Sequence, residues 1–359
     1  MVLSGDFRAD FLDWFMELGA QQVNDHAVRR ILNAAVGELQ HLQTALACGD
    51  INAPSTAMGK QYVRDLLEGI LRQQMVSAEF KDQIRHGREP SRLRMVRRRS
   101  FPDVRDGRMR LFREFVRQPS AAEDVPQLFC FPFAGGSASF FHEWSKSVGA
   151  AMRTFGALLP GRERRASEPL ANDIRTLADA FADDLRATKP SGPVAFFGHS
   201  MGALLAFETA RSLRRMGGPL PDILFVSAFR APQLPDRSPA IAQLANEDFV
   251  RELQSINGDF DAFHRSSELL DIMLPIVRAD VAMCEVYEYY HEPPLPLRIT
   301  AFGGDADEDV SFAELEGWRT QSIDPCASTA CLLPGGHLFI RDWHMTILET
   351  IVKSLSGLR

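Results

Sequence analysis

The tightest constraint on this chain is the pentapeptide Gly198-His199-Ser200-Met201-Gly202. It follows the apolar run Val194-Ala195-Phe196-Phe197 and precedes Ala203-Leu204-Leu205-Ala206-Phe207-Glu208. A short apolar run ending at glycine predicts a buried strand, and the run that follows, stopped by Gly217-Gly218, predicts a helix. A chain that turns from strand to helix this sharply has no room for side chains two places before and two places after the central serine. The two glycines meet that demand. The turn projects the Ser200 hydroxyl above a sheet, and the helix N-terminus behind it favours developing negative charge.

A serine hydroxyl is a weak nucleophile until a base, itself oriented by a third group, takes its proton. Where the serine sits on such a turn, the acid and then the histidine follow it in the chain. The histidines after Ser200 are His264, His291, His337 and His344. Only His337 falls in a loop directly after an expected strand, in Leu333-Pro334-Gly335-Gly336-His337; His264 and His291 read as surface residues, and His344 as structural within a helix over 340–355. The expected strand 297–302 leads into Gly303-Gly304-Asp305-Ala306-Asp307-Glu308-Asp309-Val310. Asp307 takes the fourth place of a Gly-x-x-Asp-x-x-Val turn and is the expected acid, with Asp305 as runner-up. The spacing of Asp305, Asp307, Asp309 and Glu316 also matches a calcium loop, but Val310 stands where that loop needs glycine. No metal is expected there.

An oxyanion needs two backbone N–H groups aimed at it. One is expected from Met201, and the other from Phe133 or Ala134 in Pro132-Phe133-Ala134-Gly135-Gly136-Ser137, where glycines allow close approach of the substrate.

Around these motifs the chain divides into three textures. Residues 1–85 carry apolar residues at helical spacing, such as Phe7, Phe11, Trp14, Phe15 and Leu18, and predict a helical extension. Residues 86–124 are Arg-rich and read as a solvated linker, with a basic strip facing an acidic partner as the other reading. From 125 to 359, short apolar runs at 127–131, 154–159, 194–197, 223–227, 297–302 and 329–333 alternate with helical patterns. That rhythm predicts a mostly parallel sheet with flanking helices, the α/β class. An insertion over about 230–292 is dominated by helical pattern, including one long helix over 268–290; a lid and simple core packing both fit its apolar stripe.

The balance of 45% hydrophobic and 24% charged residues is that of an ordinary globular protein, and the net charge of −7 argues against nucleic acid or an anionic membrane as partner. No apolar run reaches the roughly 20 residues of a membrane span, and no signal-peptide pattern is seen. Five scattered cysteines suit a reducing cytoplasm, where the protein is expected.

The loops resemble those of the type II thioesterases of polyketide and nonribosomal peptide assembly lines, which are α/β-hydrolases. The resemblance is carried by Phe131-Pro132-Phe133-Ala134-Gly135-Gly136-Ser137-Ala138, Leu159-Pro160-Gly161-Arg162-Glu163-Arg164-Arg165 and Phe197–Ala203, then by Phe302–Asp307 and Gly335–Phe339, and spans about 127–355. It implies hydrolysis of acyl thioesters on the phosphopantetheine arm of acyl or peptidyl carrier proteins, for editing or product release, without a cofactor. Residues 1–118 depart from that family's pattern and lack the setting of a phosphopantetheine serine. Two other readings stay open: an acyltransferase that passes the group from Ser200 to an amine or alcohol, and a non-catalytic scaffold acting through the extension.

Overall fold

Alternation with a period of two decides how the central strands pack. In β2 (Gln127–Phe131), Phe129 and Phe131 face one apolar cluster, while Leu128 and Cys130 face another. β4 (Val194–His199) repeats this with Val194 and Phe196 against Ala195 and Phe197, and β5 (Ile223–Ser227) with Leu224 and Val226 against Ile223 and Phe225. Strands buried on both faces need helices on both sides, which is the condition for a parallel sheet. The computed structural model describes residues 109–115, 125–186, 192–257 and 267–357. The helices expected in 1–85, and most of the Arg-rich segment, lie outside the described residues.

The sheet has seven strands in the order β1-β3-β2-β4-β5-β6-β7. With β3 (Arg153–Ala157), β6 (Arg298–Gly304) and β7 (Thr329–Leu333), strands β2 to β7 run parallel. This is the α/β-hydrolase architecture that the sequence predicts, with strand ends shifted by a residue or two. Helices α2 (Ile174–Arg186) and α3 (Met201–Arg215) cover one face; α1 (His142–Val148) and α7 (His344–Ser356) cover the other. A short α6 (Phe312–Glu316), opened by a Ser311–Glu314 capping box, separates β6 from β7.

The linker reading did not anticipate β1 (Phe112–Glu114), which pairs antiparallel with β3, Phe112 opposite Ala157. Its Phe112 ring lies edge-on to Phe129 and Phe131, so this part of the Arg-rich segment belongs to the core. Arginines at 110 and 113 hid the strand, because charged and apolar residues are mixed over 109–115 and only Leu111 and Phe112 are buried.

Between β5 and β6 lie α4 (Asn246–Asn257) and α5 (Ser267–Glu285). They build a third, smaller cluster of their own from Ile241, Phe249, Val250, Leu253, Leu274 and Val277. The helix expected over 268–290 stops at Glu285, because the next turn docks on α3. There the Tyr287 hydroxyl donates to the buried Glu208 carboxylate at 2.6 Å, and Arg211 donates to the same oxygen at 2.7 Å. Among the described residues, no helix is long and apolar enough to cross a membrane.

Candidate active site

Ser200 has φ 54° and ψ −124°, a conformation that a side chain adopts only under constraint. Two backbone bonds supply the constraint: Ser200 N–H donates to Ser227 O at 2.7 Å, and Ala203 N–H donates to Ser200 O at 2.8 Å. A Cβ at Gly198 would overlap the Gly202 carbonyl, and one at Gly202 would overlap the carbonyl of Phe131. Both glycines are therefore dictated by the turn closing on itself and on β2. His199, fully buried beneath it, meets the Ser227 hydroxyl through Nδ1 at 2.9 Å. Burial is the main cause that holds its imidazole well below the ordinary histidine value.

The loops after β6 and β7 meet at the carboxyl edge of the sheet, next to this turn. They touch because neither has a side chain in the way: a Cβ on Gly304 would strike the Gly335 carbonyl. Asp305 N–H donates to Leu333 O at 2.9 Å, and Ala306 N–H donates to Gly335 O at 3.0 Å. Across this join, His337 Nδ1 lies 3.0 Å from Asp307 Oδ2, and His337 Nε2 lies 2.9 Å from Ser200 Oγ. A carboxylate only accepts, so Nδ1 carries the proton and Nε2 is free to take one from the serine. The Asp307 side chain is 1% exposed and that of His337 is 10% exposed, so little water competes for either bond. Asp305 does a different job: its carboxylate accepts the Gly335 N–H at 2.9 Å and fixes the histidine loop. His291 is exposed, and His344 opens α7 with its ring against Arg341 O at 3.2 Å. His264 lies outside the described residues.

On the other side of Ser200, residues Pro132 to Gly136 cross from β2 over the nucleophile turn. Gly136 N–H donates to Phe133 O at 2.8 Å, and Gly135 N–H donates to a carboxylate of Asp280 at 2.8 Å. Met201, buried at the first position of α3, has an N–H with no intrahelical acceptor.

Comparison with known proteins decides the family: a model described as a thioesterase domain matches residues 126–355. The chain belongs to the thioesterase domain family. It is 37% identical over 229 residues to the Gramicidin S biosynthesis protein GrsT of Aneurinibacillus migulanus, covering 64% of this chain and 88% of that one. It is 36% identical over 237 residues to the thioesterase PikA5 of Streptomyces venezuelae, covering 65% of this chain and 81% of that protein. Among solved structures, the type II thioesterase BorB from the borrelidin biosynthetic cluster superposes with a TM-score of 0.61 at 34% identity, covering 68% of this chain and 97% of that one.

Two features of the thioesterase domain were not legible from motifs alone. One is Asp280, an α5 carboxylate 1% exposed and chelated by Arg162. Its only sequence signal is a charge set within an apolar stripe, three residues after Val277. The other is Glu163 at φ 49°, whose carboxylate accepts the N–H groups of Ala138 and Ser139 at 3.0 and 3.1 Å, behind the loop that crosses Ser200. As for metals, ligand atoms of Asp307, Asp309 and His337 lie within 4.8 Å of one another. Both nitrogens of that histidine are already engaged with Asp307 and Ser200, so a cation would have to break the serine–histidine contact.

Proposed function

We propose that this thioesterase hydrolyses acyl thioesters carried on the phosphopantetheine arm of acyl or peptidyl carrier proteins, in a polyketide or nonribosomal peptide assembly line. The observation that carries the reading is the unbroken hydrogen-bonded chain from Asp307 through His337 to Ser200. The names of the relatives in gramicidin S and borrelidin biosynthesis support the setting.

In this reading Ser200 Oγ attacks the thioester carbon while His337 Nε2 takes its proton, and Asp307 stabilises the imidazolium through Nδ1–H. The carbonyl electrons move onto oxygen, facing the N–H of Met201 and that of Phe133 or Ala134. The neighbouring amides of Gly135 and Gly136 are already engaged elsewhere. The tetrahedral species collapses, the C–S bond breaks, and the departing sulfur takes the proton from His337. Water then adds to the acyl-serine with the same histidine as base, releasing the carboxylic acid and restoring Ser200. One thioester and one water give one acid and one thiol, with no cofactor.

The test is intact-protein mass spectrometry of a carrier protein loaded with short acyl groups. Wild type should return the carrier to its free-thiol mass, and Ser200→Ala should leave it loaded. A wild-type enzyme that itself retains the acyl mass until an amine or alcohol is added would show a transferase instead. Removal of the acyl group by Ser200→Ala at the wild-type rate would refute the serine mechanism.

A further inference from the structure

The lid helix α5 reaches the oxyanion loop through one buried ion pair. Arg162 Nη1 donates to Asp280 Oδ2 at 2.6 Å and Nη2 to Oδ1 at 2.6 Å, with side-chain exposures of 8% and 2%. The same carboxylate accepts the Gly135 N–H at 2.8 Å, and the same guanidinium donates to Gly136 O at 3.0 Å. One pair thus holds a donor and an acceptor of two adjacent loop residues. The Gly135 N–H belongs to the peptide that begins at Ala134, so its direction sets the rotation of the backbone next to the expected oxyanion donor. Val277, on the same face of α5, presses on this point: a Cβ at Gly135, where φ is +75°, would lie 2.6 Å from the Val277 Cγ2.

A buried ion pair adds little net stability compared with apolar residues of similar volume. Helix α5 already has an apolar anchor in the main core through the buried Met283. What the pair adds is direction, since charge-assisted bonds of fixed geometry point two backbone groups where an apolar contact would leave them free. We infer that Asp280, paired with Arg162, is a positioning residue of the lid that orients the oxyanion loop, so that the loop is competent while α5 is seated on it. The inference rests on the proposed attack by Ser200 and makes α5 part of the catalytic geometry.

The decisive variant is the double substitution Arg162→Met/Asp280→Leu, which replaces the ion pair by apolar groups of similar size and is expected to fold; Asp280→Asn alone strands the arginine. Three quantities are read on wild type and variant: the melting temperature, kcat and KM on a carrier thioester, and the rate constant for labelling of Ser200 by a fluorophosphonate. The labelling also places an oxygen in the oxyanion hole. The double variant should melt within a few degrees of wild type. Its kcat and labelling rate should both fall by about 10²- to 10³-fold, the cost of losing one oxyanion donor, with KM nearly unchanged. Arg162→Lys, which keeps the charge but not the two-pronged contact, should lie between. Recovery of kcat and labelling along with stability would reduce the pair to a structural role and overturn the inference; so would a fall in kcat with labelling unchanged. Should wild type hydrolyse no carrier thioester, the function proposed above fails, while the labelling rates still decide the role of Asp280.

Discussion

Ser200, His199 and the two glycines of the turn divide four tasks among neighbouring positions: proposed nucleophile, buried support, and two places where a Cβ would overlap backbone. The requirement is local and steric, which is why five residues announce it. The acid is a finer choice. Asp305 and Asp307 sit two apart in one loop, and each binds the histidine loop, one through the Gly335 N–H and the other through the imidazole. Spacing from a glycine favours Asp307, whose carboxylate is the one that meets the imidazole. Replacing Asp307 by Asn should therefore lower kcat by about 10⁴-fold, since the amide leaves the imidazole in the wrong tautomer. Asp305→Asn keeps an oxygen for the Gly335 N–H and should stay within about tenfold of wild type. Steady-state kinetics on one thioester substrate would show the order; the reverse order would make Asp305 the acid.

At the scale of elements, the strands with both faces buried were legible because each is a short apolar run between turns. β1 was not. It is three residues long, lies at the edge of the sheet, and shows only one of its faces to the core. Its contribution is nonetheless concentrated in one side chain. Phe112 is 5% exposed and packs with Phe129, Phe131 and Phe181 at centroid distances of 5.1, 5.7 and 5.1 Å. Truncating it to alanine should destabilise the protein by about 3–5 kcal/mol, read from chemical denaturation. A loss below about 0.5 kcal/mol would return residues 109–115 to the role of a linker. Likewise the long helix of the insertion was visible in its apolar stripe, but its end at Glu285 was set by Tyr287 and Glu208, which lie far apart in the chain.

For the molecule as a whole, the buried His199 couples stability to pH. Its folded-state affinity for a proton is well below that of an exposed histidine, because burial penalises the charged ring. In alkaline solution neither the folded nor the unfolded chain binds the proton, and the contribution of the neutral ring to stability is complete. As pH falls through about 6.5, the unfolded chain takes up a proton that the folded one refuses, so stability declines, by up to about 1.4 kcal/mol per pH unit. His199→Gln should lose stability less steeply than wild type between about pH 6.5 and 5, with the two curves parallel above about pH 7.5. Parallel curves throughout would show that the ring takes up its proton alike in the folded and unfolded chains.

Read by itself, the sequence determined the α/β sheet, the serine turn, and the two later loops that bring an aspartate and a histidine to it. Each of these is encoded by short-range sterics or by periodicity over a few residues. Tertiary structure alone decided that an arginine after β3 and an aspartate on α5 meet at the loop that follows β2, that a strand from the Arg-rich segment completes the sheet, and that α5 ends where a tyrosine reaches α3. A buried charge or an edge strand has no local signature, because its partner is chosen by the fold and lies far away in the chain.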